Sequence, residues 1–570
     1  MIESRLIVTK RTPPTRRGMV AAEHPLGARV GARVLERGGN AIDAAVATAF
    51  AMTVVEPFMS TIAGSGTMLV HLARKHETVA LDFNGCAPMR AHDAMFRLST
   101  GISRGLFAWP NVENAANERG WLAVAVPGSV AGLSLALERY GTMELGDVVR
   151  PAIELARGGF VADWYQALST ARQLEELAAG GEVARVYLRN GRSIYRPPTG
   201  MEEGDRPIYP DLARSLELIG RDGPSAFYRG EIAQAIHDAM AANGGLITRD
   251  DLAAYSVRVG SPLVGTYRGL ELAFAPGATG GITALEILNI LEQWAPARVG
   301  WQTVEGLHLR AEAVRRAFAD RFALLGDPTL VKAPWVELAS KPYARAIAAE
   351  LRLPASRRAV PRASAARGDT RSATARVAAA RLGTAGECTT HVSVVDQHRN
   401  MVALTHTAVS LFGARVVVKG TGILLNNGMI WFDPEPGRPN SIGPRKRALV
   451  NMVPLLASRK GKPYLTLGAP GGRRIISAIP QVLATLADGR VPLQAAIEAP
   501  RLHAEGDDLQ VDDRVGEDML AGLARLGHRV VPRQETYATL NFAKPVGVRV
   551  TAKGLEAGLD HLRPAAAAGH

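Results

Sequence analysis

The residues best suited to chemistry lie where an arginine-rich segment meets an apolar strand, in the run Glu387-Cys388-Thr389-Thr390-His391. Taken alone, a pair of threonines on a strand reflects only β-propensity. Cleavage before Thr389 would, however, give this residue a free α-amine. An α-amine with a pKa of about 8 can act as the base for the hydroxyl of the same residue. The junction therefore predicts an N-terminal nucleophile that acts on acyl groups.

The composition is typical of a folded protein, with 570 residues of which 47% are hydrophobic and 21% are charged. The chain has two cysteines, Cys86 and Cys388, which excludes a disulfide scaffold and a cysteine-rich metal site. Of the 13 histidines, the closest group is His391, His398 and His406, and these lie on or beside strand-like segments without metal-ligand spacing. We therefore expect no metal and no cofactor.

Much of the net charge of +13 lies in residues 352–381, which contain eight arginines and one acid, Asp369. This segment has no aromatic side chain that could stack on a nucleic acid base. We interpret it as a solvated linker, with a polyanion-binding arm as the alternative. The first residues lack the apolar run of a signal peptide, and no apolar run is long enough to span a bilayer. The expectation is a cytoplasmic protein without a membrane partner.

The elements that would position Thr389 alternate between helical and strand-like patterns. Residues 26–37 have helical spacing, and residues 41–54 are almost wholly apolar or small, which indicates a buried helix. Strand-like runs occupy residues 67–72, 78–83, 389–395, 401–407 and 463–467. The last of these runs ends in a turn that contains Gly471 and Gly472 and precedes a helical pattern. This order predicts a layered fold of the α+β class.

Several ordered motifs extend this pattern over most of the chain. They are His24-Pro25, GGNAIDAA at 38–45, VVEP at 54–57, VPG at 126–128, DDLAAY at 250–255, TTHVSVVD at 389–396, GTGILLNN at 420–427 and PGG at 470–472. With these motifs the sequence resembles the γ-glutamyltransferase family. The resemblance implies a four-layer αββα sandwich of the N-terminal nucleophile (Ntn) hydrolases and a zymogen that cleaves itself between Cys388 and Thr389. Its two products, a large subunit (1–388, ending in the basic linker 352–381) and a small subunit (389–570), would remain partners.

The resemblance also implies roles for four residues of the reaction centre. Thr389 corresponds to the nucleophile of the family, and Thr407 to a second threonine that orients and assists it. Gly471 and Gly472 correspond to the pair whose backbone N–H groups form the oxyanion hole. Two successive residues without side chains do let N–H groups approach an oxyanion closely. A plain tight turn before a helix is the alternative for this pair.

The sequence departs from the family in the pocket that holds the amino acid head group of a γ-glutamyl substrate. Asn84 replaces an arginine, and an asparagine cannot form a bidentate cationic clamp. Val409 replaces an asparagine, and Trp431 replaces an aspartate that would hold the α-ammonium group. Val450-Asn451 replaces a pair of serines. Arg473 follows the glycine pair where the family usually has serine, and it could bind a carboxylate of the substrate, pair with an acid of the protein or face solvent.

Because the changes fall in the pocket and spare the catalytic motif, we predict a retained reaction with a changed substrate. The expected function is a self-processing amidohydrolase or acyltransferase that acts on a small amide other than a γ-glutamyl one. Relatives with altered pockets include oxamate amidohydrolase-like and cephalosporin acylase-like proteins. The alternative within the family is a true γ-glutamyltransferase, that is, a glutathione hydrolase, with a rebuilt pocket. The alternative from another class is a non-catalytic protein whose linker binds a polyanion; the intact catalytic motif argues against it, and nucleic acid is not an expected partner.

Overall fold

Two antiparallel β-sheets stack face to face in this protein, and helices cover the outer face of each sheet. The computed structural model describes residues 8–103, 107, 109–351, 388–539 and 541–570. The layer order confirms the αββα sandwich predicted from the resemblance. The predicted basic linker, 352–381, lies outside the described residues.

The strands within these ranges are numbered β1 to β20 in chain order. They are Met19–Ala22, Ser65–Leu72, Glu77–Phe83, Leu98–Ile102, Pro110–Val112, Arg258–Gly260, Leu263–Tyr267, Leu270–Phe274, Thr390–Val395, Met401–Thr407, Val417–Val418, Ile423–Leu424, Leu455–Arg459, Lys462–Gly468, Leu502–His503, Asp508–Asp512, Arg529–Arg533, Val546–Thr551, Gly554–Leu559 and Ala566–Gly569. The larger sheet has the order β20-β1-β9-β10-β2-β3-β6, and the second sheet has the order β19-β18-β14-β13-β8-β7.

The described helices are numbered α1 to α18 in the same way. They are Pro25–Glu36, Ala41–Val55, Ser129–Tyr140, Leu145–Gly158, Trp164–Ala171, Leu174–Ala178, Gly181–Tyr187, Pro210–Asp222, Ser225–Tyr228, Glu231–Ala242, Arg249–Ala253, Gly281–Leu291, Val304–Leu324, Trp335–Leu338, Lys341–Leu351, Arg474–Gly489, Leu493–Glu498 and Glu517–Arg525. None of them is both long enough and apolar enough to cross a membrane.

The alternation of side chains along the strands builds the layers. In β1, Val20 and Ala22 pack in the core beneath α1 and α2, whereas Met19 and Ala21 pack between the two sheets. The apolar helix predicted at 41–54 is α2, and every one of its residues is buried. Asn40 begins it with a capping box, since its side chain accepts from the N–H of Asp43 while Asp43 accepts from the N–H of Asn40. Helix α2 packs against β9 and β10, the two strands that position the predicted catalytic threonines.

Candidate active site around Thr389

Two neighbouring strands bring Thr389 and Thr407 together. Thr389 directly precedes β9, and Thr407 is the last residue of β10. The two strands are antiparallel with Thr390 opposite His406, so the start of one lies beside the end of the other. The Oγ1 atoms of Thr389 and Thr407 are 3.3 Å apart, and both side chains are buried. The structure therefore places the predicted nucleophile next to its predicted assistant.

Both threonine hydroxyls meet at the carbonyl group of Cys388. Thr389 Oγ1 donates a hydrogen bond to this oxygen, and Thr407 Oγ1 donates to it at 3.1 Å. The backbone N–H of Val409 donates to Thr407 Oγ1 at 2.8 Å, which orients the Thr407 hydroxyl towards the carbonyl. In this arrangement Thr389 lies beside the peptide bond that it would attack, and Thr407 can stabilise negative charge on the carbonyl oxygen.

The Cys388 side chain has a structural role at this junction. Its Sγ lies 2.9 Å from the carbonyl oxygen of Phe58 and 2.7 Å from that of Met59, where the thiol donates. Burial raises the pKa of the Cys388 thiol far above its usual value. A thiol is a weak nucleophile in its protonated form, so Cys388 anchors the junction rather than reacting.

Glu56 is a buried acid near the nucleophile whose role the sequence reasoning did not identify, although it belongs to the VVEP motif. Thr390 Oγ1 donates to Glu56 Oε2 at 3.3 Å. Burial raises the pKa of Glu56 to about 8, and the negative charge of Asp163 acts in the same direction. Glu56 is therefore mostly protonated at neutral pH, immediately beside the residue that follows Thr389.

The turn between β14 and α16 contains Gly471 and Gly472, whose φ angles are +137° and +54°. A Cβ atom on Gly471 would lie 2.5 Å from Ala543 Cα, so the turn has no space for a side chain there. Within the described ranges, no protein group accepts a hydrogen bond from the N–H of either glycine. Gly471 also lines a small cavity together with Met59, whose carbonyl contacts Cys388. The two N–H groups are thus free of acceptors among the described residues, and their role in binding an oxyanion stays a prediction from the sequence.

Three of the positions predicted to line the substrate pocket lie in one buried apolar cluster. Val409, Trp431 and Val450 are buried in a single hydrophobic cluster that also contains Ala87, Ala91, Phe96, Phe107, Ala125, Met429, Ile430, Phe432, Ile442, Ala448 and Met452. Through the N–H of Val409, which donates to Thr407, this cluster directly adjoins the two threonines. The structure thus buries these three side chains together, while their contact with a substrate stays a prediction.

Asn84 lies outside this cluster and is held by the protein itself. Its Nδ2 donates to Thr67 Oγ1 at 3.0 Å and to Asp82 Oδ1 at 2.8 Å. A guanidinium does occur nearby, since Arg447 Nη1 is 2.7 Å from Asp82 Oδ2. Arg447 is distant from Asn84 in sequence. The comparison of position 84 with the arginine of the family therefore could not reveal this cation.

Arg473 pairs with an acid of the protein, which is one of the three roles that the sequence left open. Its Nη2 donates to Glu505 Oε1 at 3.1 Å, and its Nε is 2.7 Å from Glu505 Oε2. The guanidinium also lies over the rings of Phe107, Trp109 and Phe322, at 5.2, 6.0 and 5.3 Å from their centroids. Phe107 belongs to the apolar cluster, so Arg473 lies at its border.

Two further buried arginines surround the same carboxylate. Burial alone would raise the pKa of the Glu505 carboxyl. The charges of Arg473, His503 and Arg474 outweigh this effect and lower the pKa to about 2. Arg321 also interacts with Glu505, and burial together with the charge of Arg473 lowers the pKa of Arg321 to about 9. Arg321, Arg473 and Arg474 thus each interact electrostatically with the buried Glu505 carboxylate.

Asn451 connects this charged group to the pocket. Arg321 Nη2 donates to the carbonyl oxygen of Val450 at 2.7 Å and to Asn451 Oδ1 at 3.2 Å. The buried Nδ2 of Asn451 has no hydrogen-bond acceptor among the residues that the structure describes. A buried donor of this kind indicates a place for an acceptor that the protein itself does not supply.

The chain is similar to known proteins along nearly its whole length. A sequence profile of the family described as Gamma-glutamyltranspeptidase matches residues 27–570. The Acylase ACY 1 proenzyme of Pseudomonas sp. (strain SE83) is 38% identical over 522 residues, which cover 90% of this chain and 87% of that protein. The glutathione hydrolase proenzyme of Escherichia coli (strain K12) is 36% identical over 539 residues, which cover 92% of this chain and 87% of that protein.

A solved structure agrees with these sequence similarities. The crystal structure of cephalosporin acylase from Bacillus halodurans superposes with a TM-score of 0.84 and 26% sequence identity. The superposition covers 100% of this chain and 99% of that one.

Proposed function

The chain belongs to the gamma-glutamyltranspeptidase family, and from this premise we propose that Thr389 first cleaves its own chain and then hydrolyses a small amide that is not γ-glutamyl. The observation that carries the proposal is the contact of both threonine hydroxyls with the Cys388 carbonyl oxygen. Two hydroxyl groups that donate to one peptide carbonyl are not needed to hold a pair of strands together, and they indicate a reaction at that peptide bond.

Self-cleavage would proceed through an ester. Thr389 Oγ1 attacks the carbonyl carbon of Cys388, the C–N bond breaks, and the acyl group moves from nitrogen to oxygen. Water then hydrolyses the ester, which gives residues 1–388 a carboxylate end and restores the Thr389 hydroxyl. The same step frees the α-amine of Thr389, so cleavage itself creates the catalytic base.

The mature reaction would use the same atoms on an external amide. The α-amine of Thr389 accepts the hydroxyl proton while Oγ1 attacks the carbonyl carbon of the substrate. The N–H groups of Gly471 and Gly472 stabilise the oxyanion, and the protonated amine gives its proton to the departing amine. Water, or an acceptor amine in a transfer reaction, then releases the acyl group from Thr389.

The surroundings of the site support an acyl group that carries an acid but no α-ammonium group. The apolar cluster offers an α-ammonium group no charged partner at Val409 or Trp431, so its desolvation would go uncompensated. Arg473, whose guanidinium lies over Phe107 of this cluster, is the candidate partner for the acid group. Glu505 engages Nε and Nη2 of Arg473, and a guanidinium has further N–H donors for a second carboxylate. The similarity to proteins named acylases supports the removal of an acyl group as the reaction.

Two chromogenic amides test this proposal directly. Glutaryl-p-nitroanilide and γ-glutamyl-p-nitroanilide have the same leaving group and acyl chain, and they differ only in the α-amino group. We expect the processed protein to favour the glutaryl compound by at least about tenfold in kcat/KM, because a lost charge-assisted hydrogen bond costs about 1.5–3 kcal/mol. A panel of small amides that includes oxamate would extend the comparison.

The second candidate function is that of a true glutathione hydrolase. The 36% identity to the Escherichia coli glutathione hydrolase proenzyme supports it. A preference for γ-glutamyl-p-nitroanilide together with efficient turnover of glutathione would establish this alternative. The subunit boundaries, the cytoplasmic location and the linker's affinity for polyanions stay predictions from the sequence.

A further inference from the structure

Two histidines and a glutamate that are distant in sequence meet at the surface end of α13. His308 and Glu312 are four residues apart on this helix, so they lie on the same face. His528 comes from the segment between α18 and β17, 220 residues away from His308. His308 Nδ1 is 2.8 Å from His528 Nε2, and Glu312 Oε1 is 4.0 Å from His528 Nδ1.

The three side chains provide the ligand set that zinc and similar transition metals prefer. Two imidazole nitrogens and one carboxylate oxygen, with a water as fourth ligand, satisfy a tetrahedral ion. One ligand atom from each side chain can be chosen so that all lie within 4.8 Å of one another. In a tetrahedral zinc site the two nitrogens lie about 3.3 Å apart, so the present histidine contact needs to open only slightly. We propose that His308, Glu312 and His528 bind a divalent transition metal ion such as Zn²⁺.

The surroundings suit a metal that stabilises the fold. His528 is buried, while His308 and Glu312 are half-buried, which leaves access for an ion and a water molecule. Glu312 forms an ion pair with Arg315, and Arg315 Nε donates to the carbonyl oxygen of Gly506 at 3.1 Å. A carboxylate has two oxygens, so Glu312 can bind the metal through one of them while Arg315 neutralises the other.

The location separates this site from the chemistry at Thr389. Arg321, near the other end of α13, contacts Val450 and Asn451 of the pocket. A metal at His308 would fix the beginning of the same helix to the segment before β17. The inferred role is to hold α13 in place, and it does not depend on the proposed substrate.

Zinc binding by the full-length protein tests the inference. After treatment with EDTA and its removal, the protein is titrated with ZnCl₂ in an isothermal calorimeter. We expect one zinc ion per chain, and a dissociation constant at least tenfold higher for His308→Ala and for His528→Ala. Glu312→Gln, which keeps the size of the side chain, should also weaken binding. His92→Ala removes an exposed histidine elsewhere and serves as the matched control, with unchanged affinity.

Thermal unfolding supplies a second measurement. Zinc should raise the Tm of the wild-type protein and of His92→Ala, but not that of the double variant His308→Ala/His528→Ala. Far-UV circular dichroism checks that each variant is folded. Equal zinc binding by the wild type and the double variant would overturn the inference, as would an equal loss of binding in His92→Ala.

Discussion

Thr407 Oγ1 donates a hydrogen bond to the carbonyl oxygen of Cys388 at 3.1 Å, across 19 positions of sequence. The N–H of Val409 donates to the same hydroxyl and so leaves its proton for this carbonyl. The contact joins the end of one central strand to the residue before the next, and it polarises the peptide bond that Thr389 would attack. The pairing of β9 with β10 therefore positions the groups for the proposed attack of Thr389 on Cys388.

Replacement of the nucleophile should stop self-cleavage. Thr389→Ala removes the hydroxyl that lies beside the Cys388 carbonyl, and we expect the full chain of 570 residues to persist. The wild type should give two pieces, with the smaller one beginning Thr-Thr-His-Val when sequenced from its N-terminus. Thr389→Ser keeps a hydroxyl and is expected to cleave, although more slowly. A Thr389→Ala protein that still splits at this bond would contradict the mechanism.

The role of Thr407 can be separated from its contribution to the strand. Thr407→Val keeps the branched shape but removes the donor to Cys388, and self-cleavage should slow by about 10²–10³-fold. Thr405→Val is the matched control, because Thr405 lies two residues earlier on β10 and bonds to His391 instead. Time courses on denaturing gels measure both rates. Similar rates for the two variants would show that the Thr407 hydroxyl has no special role.

The glycine turn can be tested by adding a single methyl group. Gly471→Ala would place a Cβ atom 2.5 Å from Ala543 Cα and displace the amides that are expected to bind the oxyanion. We predict a fall in kcat of about a hundredfold. Gly461→Ala also changes a glycine with positive φ, but it has no neighbouring atom within 4 Å, so it controls for backbone strain alone. A processed Gly471→Ala protein with normal kcat would place the oxyanion hole elsewhere.

Arg473 needs a paired substitution, because its removal alone would leave the Glu505 carboxylate buried with less compensation, at a cost of about 3–5 kcal/mol. The double variant Arg473→Gln/Glu505→Gln removes this ion pair and keeps groups that can hydrogen-bond. It also removes the acid that interacts with Arg321 and Arg474, so circular dichroism must first show that the variant is folded. If Arg473 binds an acid group of the substrate, the KM for glutaryl-p-nitroanilide should rise at least about tenfold, while self-cleavage stays unchanged. An unchanged KM would give Arg473 only a structural role.

The raised pKa of Glu56 should make the stability of the folded protein depend on pH. Burial raises its pKa from 4.5 to about 8, so between these values the folded chain binds a proton that the unfolded chain has lost. This contribution is complete below pH 4.5 and is lost as the pH rises through 8. Glu56→Gln stays neutral throughout, so its Tm relative to the wild type should increase from pH 5 to pH 9. Glu36→Gln, at an exposed position, should show no such trend.

The sequence by itself determined the family, and it predicted Thr389 as the nucleophile and an apolar substrate pocket. Thr389 follows from the junction and its motif, and α2 from an uninterrupted run of apolar and small residues. The apolar character of Val409, Trp431 and Val450 is known from the sequence alone. Their residue types therefore predicted a pocket unsuited to a charged head group. Such properties are local, because they depend on residue type and on neighbours within one element.

Only the tertiary structure decided which polar groups meet. It pairs Arg473 with Glu505, directs Arg321 to Asn451, places Glu56 beside Thr390 and brings His528 to His308. These partners are between 32 and 334 positions apart. Spacing along the chain specifies neighbours only within a helix or a hairpin, whereas burial, ion pairing and ligand geometry depend on distances between elements. For that reason the class of reaction could be inferred from the sequence, while the Arg473–Glu505 ion pair and the proposed zinc site required the fold.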